Sequence, residues 1–164
     1  MNIVSDEVLK KKYDILYKKF IKGDFSEVIK ECNKILEHRK HQLFFNLLSI
    51  AYQKSGKIEK AIDIMKEALD LNPNHPNFLN NIGTCFYMLH KYSEAEKYFK
   101  KGLEIDNKHL HILNNLGNLK RETYNIEESI EYYKKVLNIQ NDAVPSLFNL
   151  VGIYRITNQK ENSK

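Results

Sequence analysis

Asparagines recur in this sequence at one fixed interval, and their amides could form hydrogen bonds with another polypeptide. Two parallel series occur: Asn81, Asn115 and Asn149, and beside them Asn46, Asn80 and Asn114. An asparagine side chain offers both a donor and an acceptor, as a peptide bond does. A row of such amides is therefore suited to hold an extended chain by its backbone, whatever the bound sequence.

Histidine and cysteine, the other chemically versatile residues, do not form a recognisable catalytic or metal site. His41, His75 and His109 are separated by the same interval, but stacked helices separate equivalent atoms by about 10 Å, whereas zinc requires ligands at about 2 Å. Cys32 and Cys85 lack a CxxC partner and lie within apolar patterns, so we predict buried packing residues. No catalytic motif accompanies them. We expect no enzyme activity, no metal and no cofactor.

The composition is typical of a folded soluble protein. Of the 164 residues, 42% are hydrophobic and 29% charged, with a net charge of +5. No apolar run approaches the roughly 18 residues of a membrane span, and the N-terminus lacks the apolar core of a secretory signal. The excess positive charge lies near the two ends, and arginine, which nucleic-acid-binding surfaces concentrate, is scarce. These features predict a cytoplasmic protein that binds neither nucleic acid nor membrane.

The elements that position the asparagines follow the same interval. The stretches "LNNIGTCFYM", "LNNLGNLKRE" and "LFNLVGIYRI" begin at Leu79, Leu113 and Leu147. Turn-like segments "KSGKI", "LHKYS" and "TYNIE" follow the first half of each unit. At "LNPNHP" the two prolines cannot continue a helix and interrupt the pattern. The sequence therefore predicts repeated pairs of helices.

This pattern resembles the tetratricopeptide repeat, a helix–turn–helix unit of about 34 residues. From Pro76 the family positions are occupied by Leu79, Ile82-Gly83, Phe86, Ala95 and Phe99. The blocks from Gln42 and Leu110 match in the same register, although Lys120 stands where an aromatic residue is expected. The resemblance implies an all-α fold: a right-handed α–α superhelix of about four helix pairs plus a terminal helix.

We predict that residues 1–164 form a single solenoid of several units. Its units are a degenerate N-terminal repeat over 5–41, repeats over 42–75, 76–109 and 110–143, and a partial repeat or capping helix over 144–164. Small residues on the first helix of each pair should let the second helix approach closely; these are Ser49, Gly83 and Gly117. The gaps between repeats should be filled by Phe45, Leu79, Leu113 and Leu147.

The C-terminal segment is expected to be a first helix without its second helix. We predict a helix over Val144–Thr157 in which Leu150, Val151 and Tyr154 face toward a missing partner. Two interpretations stay open. The helix 144–157 forms a homodimer, or the chain is the leading piece of a longer protein.

In a superhelix of this family the first helices line the concave wall, so the resemblance implies that the asparagines face a groove. The segments "NNIG" and "NNLGN" resemble the asparagine-lined repeats of O-linked N-acetylglucosamine transferases, and this carries over to Asn81, Asn115 and Asn149. Asn118 matches a second family asparagine, whereas Thr84 and Ile50 depart from it. The predicted peptide-binding residues are Asn46, Asn80, Asn81, Tyr87, Asn114, Asn115, Asn118, Arg121 and Asn149.

The function predicted from these features is a non-enzymatic scaffold whose groove binds an extended peptide or protein segment. The carboxylate clamp of tetratricopeptide co-chaperones does not fit, because it would require lysine at Asn46 and asparagine at Ile50. Three alternatives stay open. The asparagines serve repeat stacking; the chain is the substrate-presenting arm of a larger enzyme, since it also resembles the repeat leaders of bacterial sulfotransferase-like and glycosyltransferase-like proteins; or it is an assembly module that pairs through its last helix.

Overall fold

The computed structural model describes the backbone of residues 6–161 and the side chains of residues 6–156. Residue 5 of the predicted N-terminal repeat, residues 162–164 and the side chain of Thr157 lie outside this description. Within it the chain forms helices and no strand: α1 (Asp6–Ile21), α2 (Phe25–His38), α3 (Gln42–Lys54), α4 (Ile58–Leu71), α5 (Pro76–Met88), α6 (Tyr92–Ile105), α7 (Leu110–Glu122), α8 (Ile126–Ile139) and α9 (Val144–Glu161).

The helices stack in chain order. Each packs against the next one along the chain, and α3, α5 and α7 also contact one another in sequence. We call α1, α3, α5, α7 and α9 the first helices and the even-numbered helices the second helices. Contacts confined to neighbours are the property of a solenoid, and the predicted all-α architecture is therefore confirmed.

The turns inside the helix pairs share one backbone feature. Gly23, Gly56, His90 and Tyr124 adopt φ values of 83°, 73°, 57° and 61°, the left-handed region that glycine tolerates best. The last three of these residues recur at the repeat interval, within the predicted turn segments. Between pairs, Pro76 occupies the first turn of α5, where a missing N–H leaves no hydrogen bond unmade.

Small residues set the distance between the two helices of a pair. A Cβ atom placed on Gly83 would lie 2.5 Å from the Phe99 ring, and one on Gly117 would lie 2.6 Å from the Tyr133 ring. Both rings are fully buried. A side chain at either glycine would therefore push the second helix away from the first.

The gap-filling prediction holds for three of its four residues. Phe45, Leu79 and Leu113 are buried, but Leu147 is 42% exposed. The prediction for Leu150 was also wrong: it is buried, in a cluster with Tyr133 and Ile153. The helix α9 packs on α8 through Leu150 and Ile153, which stand at the positions of Leu116 and Leu119 on α7. Leu147 is exposed because α9 has no second helix among the described residues to cover it, as α8 covers Leu113.

Candidate functional site

The first asparagine series links consecutive first helices. Asn81 Nδ2 donates to Asn46 Oδ1 at 3.0 Å and lies 3.7 Å from the Met65 sulfur. One repeat later, Asn115 Nδ2 donates to Asn80 Oδ1 at 2.9 Å and contacts Thr84 Oγ1 at 3.3 Å. The two hydrogen bonds lie one repeat interval apart and join the same positions of successive repeats. The Nδ2 groups of Asn81 and Asn115 are therefore engaged within the protein, and their hydrogen bonds stabilise the stacking of α3, α5 and α7.

The third pair of this series keeps only one of these two contacts. Asn149 Nδ2 donates to Asn118 Oδ1 at 3.2 Å, and Asn118 stands one repeat interval after Thr84, the second partner of Asn115. Asn114, the equivalent of Asn80, instead accepts a bond from Ser146 Oγ at 3.1 Å. The contact between α9 and α7 therefore keeps the register of the contact between α7 and α5 but lacks the bond that corresponds to Asn115–Asn80.

The second series and Asn118 are held in the opposite sense, by their oxygen atoms. Each Oδ1 accepts a hydrogen bond: Asn46 from Asn81, Asn80 from Asn115, Asn114 from Ser146, and Asn118 from Asn149 and Tyr133. Among the described residues their Nδ2 groups have no protein partner, and none is a buried unsatisfied atom. Four amide nitrogens are thus oriented by a bond on the opposite side of the amide and remain accessible to solvent.

Two further predicted peptide-binding residues, Arg121 and Tyr87, lie beside these amides. Arg121 Nη1 donates to Asn149 Oδ1 at 3.1 Å, and Arg121 Nη2 lies 3.3 Å from Glu122 Oε1. The half-buried Tyr87 ring lies 5.7 Å from the Tyr92 ring. Burial, reinforced by Glu122 and opposed by Arg121, raises the pKa of Tyr87. Tyr87 therefore acts as a neutral hydroxyl near neutral pH.

An apolar cavity adjoins the last pair of asparagine contacts, and sequence reasoning missed it. Its volume is about 440 Å³. Phe148 forms part of its wall and stands at the position where the preceding repeats carry Asn80 and Asn114. This replacement of an asparagine by an apolar residue is visible in the repeat alignment and could have predicted an apolar surface here. The lining residues are Arg121, Tyr124, Ile126, Phe148, Asn149, Gly152, Ile153 and Ile156.

The repeated histidines occupy the junctions and make structural contacts. His75 Nε2 lies 3.1 Å from Gln42 Oε1, and His109 Nε2 lies 2.8 Å from Asn77 Oδ1. His109 Nδ1 also accepts the Ile112 N–H at the start of α7. Burial lowers the pKa of both His75 and His109. Within residues 6–161, no group of three or more His, Cys, Asp or Glu could hold a metal ion.

Both cysteines are free and fully buried. Burial raises the pKa of Cys32 and of Cys85 to about 12. Because the thiolate is the reactive form, these side chains act as packing groups, as the sequence predicts.

Lys120, the exception in the aromatic position, forms a partly buried ion cluster. Its Nζ lies 3.1 Å from Glu96 Oε1 and 2.9 Å from Glu128 Oε2, and Glu96 also pairs with Lys100 at 2.6 Å. Burial alone would lower the pKa of Lys120, but the two carboxylates together raise it. The cluster joins α6, α7 and α8 by charge where neighbouring repeats use aromatic packing.

None of the helices in the described part of the chain is long and apolar enough to cross a membrane. The amides come from the first helices α3, α5, α7 and α9, whereas the cavity lies among α7, α8 and α9 and the ion cluster among α6, α7 and α8.

Comparison with known proteins identifies the repeat. Sequence profiles described as Tetratricopeptide repeat match residues 41–108 and 109–144, together more than half of the chain. No curated protein matches the chain.

Solved structures share the fold at low sequence identity. TTC0263, a thermophilic protein of this kind from Thermus thermophilus, superposes with a TM-score of 0.80 at 18% identity, covering 93% of this chain and 83% of its own. The first repeat domain of Spaghetti (RPAP3), bound to the HSP90 peptide SRMEEVD, gives 0.65 at 21% identity over 70% of this chain and 91% of its own. YrrB, described as having an unusual peptide-binding site, gives 0.67 at 23% identity over 79% and 68%. The chain belongs to the tetratricopeptide repeat family.

Proposed function

We propose that the face formed by α3, α5, α7 and α9 binds an extended peptide or protein segment, and that the protein works as a non-enzymatic interaction scaffold. The observation that carries the proposal is the set of oriented amide nitrogens of Asn46, Asn80, Asn114 and Asn118. Two of the structural relatives, RPAP3 and YrrB, are described with a bound peptide or a peptide-binding site. Peptide binding is thus compatible with this fold.

The two asparagine series have different roles in this proposal. The second series donates to carbonyl oxygens of the bound segment, while Asn81, Asn115 and Asn149 hold or orient those amides from the protein side. Because each donor is already fixed through its oxygen, little side-chain freedom is lost on binding. A bond of this kind contributes about 1 kcal/mol, so affinity would come from several together.

The spacing of the donors fits an extended chain. Neighbouring packed helices lie about 8–10 Å apart, and an extended chain advances about 3.3 Å per residue. One donor would therefore meet every third residue of the bound segment. Recognition by the backbone requires no terminal carboxylate, so internal segments of a partner should bind as well as free C-termini.

Side-chain selectivity would come from groups at the edge of this face. Gln53 and Tyr87 lie about two turns beyond Asn46 and Asn80 on α3 and α5, and Arg121 lies about one turn beyond Asn118 on α7. The Arg121 guanidinium is oriented by Asn149 and Glu122, and it borders the cavity that Phe148 and Ile156 line. An apolar side chain of the segment would enter this cavity beside a positive charge.

The experiment replaces the Nδ2 donor of two asparagines by an oxygen atom and keeps the Oδ1 acceptor that bonds to the neighbouring first helix. In Asn80→Asp and Asn114→Asp, the carboxylate still accepts from Asn115 or Ser146 but repels a peptide carbonyl. Peptides are first selected by wild-type protein from an immobilised random-peptide library and then titrated by fluorescence anisotropy. We expect the double variant to bind them about tenfold or more weakly, because two hydrogen bonds are lost.

The matched control is Asn138→Asp, at an exposed position of α8 with the same change of charge. It should bind like wild type. Equal affinity of the double variant and wild type, with unchanged circular dichroism and melting temperature, would contradict backbone recognition by these amides and leave stacking as their role.

Self-association through the helix 144–157 is a second candidate function, favoured by the apolar side chains that α9 exposes. The role of a presenting arm in a larger transferase stays a prediction, as does the cytoplasmic location.

A further inference from the structure

The helix α9 exposes a continuous apolar surface on the side away from α8. Val144, Leu147, Phe148 and Val151 are 70%, 42%, 78% and 57% exposed; we call these four residues the open face of α9. Their contacts with the rest of the described chain are few, because α9 packs on α8 through Leu150 and Ile153 and bonds to α7 through Ser146 and Asn149. Side chains of this size are normally covered.

A second helix that carries an aromatic ring at the close contact, as α6 and α8 do, cannot cover the open face. Val151 stands at the position of Gly83 and Gly117, one and two repeat intervals later. At those glycines even a single added Cβ would lie within 2.5 or 2.6 Å of the facing ring. A valine would hold such a helix away and leave its aromatic residue unpacked. A helix that approaches α9 at the wider separation of ordinary helix packing, about 8–10 Å, avoids this contact.

The open face is suited to pairing with itself. The stretch "VPSLFNLVGIY" over 144–154 contains no charged residue, so two copies would meet without like-charge repulsion. Val144, Leu147 and Val151 follow the spacing of three and four residues that forms the apolar seam between paired helices. Valine at such a position is favourable in helix pairs, in contrast to its effect in a close repeat contact.

We infer that the open face of α9 pairs with α9 of a second copy of this chain, antiparallel about a two-fold axis. In this arrangement Leu147 of one copy lies opposite Val151 of the other, and the same register brings Asp142 near Arg155. Opposite charges then meet at both ends of an uncharged centre. The inference deepens the second candidate function, self-association through this helix, and does not depend on the proposed peptide binding: of the open face only Phe148 also lines the cavity proposed for the peptide.

The size of the surface sets the expected strength. Burying the four side chains removes roughly 500 Å² per copy, or about 1,000 Å² in total, which reaches the lower limit for a specific interface. The dimer should therefore be weak and reversible, forming as the concentration rises through the micromolar range.

Sedimentation equilibrium of the full chain over a concentration series tests this directly. We expect the mean mass to rise from the monomer value of 19.4 kDa toward twice that value. Val151→Asp should weaken association by at least about tenfold, because two carboxylates would enter an apolar seam without partners. Leu71→Asp is the matched control, since Leu71 is 58% exposed on α4, and it should associate like wild type.

A charge exchange tests the register. Asp142→Arg alone and Arg155→Asp alone would each place like charges near one another and weaken the dimer, and the two changes combined should restore it. A wild-type chain that stays at the monomer mass throughout would overturn the inference. So would association that Val151→Asp leaves unchanged, and failure of the combined exchange to restore pairing would overturn the antiparallel register.

Discussion

The helices α7 and α9 occupy the same place in successive repeats, yet their surroundings differ on the side that faces the second helix of the same pair. Leu113 is buried and Leu147 is exposed; Gly117 contacts the Tyr133 ring, whereas Val151, at the equivalent position of α9, is 57% exposed. Both helices have apolar residues at repeat spacing. The difference arises because α7 lies between α6 and α8, while α9 packs on α8 and has no further helix beyond it among the described residues.

The comparison teaches which residue types depend on a neighbour. A glycine is required where a second helix brings an aromatic ring close to the first helix, as at Gly83 and Gly117. At α9 valine replaces the glycine, phenylalanine replaces one asparagine, and the remaining Asn149 bonds to Asn118 without a bond to Asn114. Four substitutions test this difference between α7 and α9. Each lies at a position that the two helices share or in the turn that follows α7.

The largest effect is expected from exchanging the residues at the close contact. Gly117→Val copies Val151 into α7, where its Cβ would lie 2.6 Å from the Tyr133 ring. Overpacking a buried contact against an immobile ring should reduce the free energy of unfolding by about 3 kcal/mol. The reverse change, Val151→Gly, should cost at most about 1 kcal/mol, from helix propensity alone. Urea unfolding at low protein concentration measures the stability of both variants. Equal losses of unfolding free energy would contradict the conclusion that only α7 requires a small residue at this position.

The ion cluster distinguishes α7 from α9, where Tyr154 stands in place of Lys120. Lys120→Met leaves Glu96 and Glu128 facing an apolar group, and we expect a loss of about 1–2 kcal/mol, since both carboxylates keep some access to water. Burial alone would raise the pKa of Glu96, but Lys100 and Lys120 together lower it. In wild type the stabilisation by Glu96 is therefore fully present above the ordinary pKa of a glutamate carboxyl group. It is lost as the pH falls through the lower pKa that Glu96 has in the folded protein.

Urea unfolding at neutral and acidic pH measures this change. Lys134→Met, at an exposed position of α8, is the control and should have little effect. A Lys120→Met variant as stable as wild type would show that the cluster makes no net contribution.

The cap of α7 gives a smaller effect. His109→Ala copies Ala143, the residue that precedes α9, and removes the bond from the Ile112 N–H. We expect a loss of about 1 kcal/mol at neutral pH, the usual value of an N-terminal cap. Burial lowers the pKa of His109, so the contribution of the neutral ring is complete above about pH 6.5 and is lost as the pH falls through the folded pKa.

The stability difference between wild type and His109→Ala should therefore shrink between about pH 7.5 and pH 5.5, because the wild-type contribution titrates across the histidine range. Chemical unfolding at both values measures it. A difference that grows on acidification would mean that the protonated ring is the stabilising form.

The smallest effect concerns the turn between α7 and α8. Tyr124 adopts a φ of 61°, where the equivalent residue two repeats earlier is Gly56. Tyr124→Gly removes the unfavourable contact of the Cβ atom in the left-handed conformation but increases the conformational entropy of the unfolded chain. We expect a net gain of about 0.5 kcal/mol in the free energy of unfolding. Asn125→Gly, at a φ of −87°, should give no gain. Thermal denaturation of the three proteins decides whether the left-handed conformation is strained.

Much of the architecture follows from the sequence because its signals are local. The helices begin and end near the predicted prolines and turn segments, and Gly83, Gly117 and the two cysteines pack as expected. The end of α9 was less predictable: the helix runs to Glu161, beyond the expected Thr157, since no proline or glycine follows Gly152. The asparagine-based site stays a prediction, although the recurrence of its residues was evident.

The sequence by itself determined the repeat period, the all-α class and the positions where only a small residue fits. These depend on helix geometry and on side-chain volume within one repeat. Tertiary structure alone decided which atom of each asparagine is engaged, that Leu147 is exposed, and that Asn149 bonds to Asn118 but not to Asn114. Such outcomes depend on the distance and the axial displacement between helices of successive repeats, which lie far apart in the chain, and no local pattern of residues encodes that displacement.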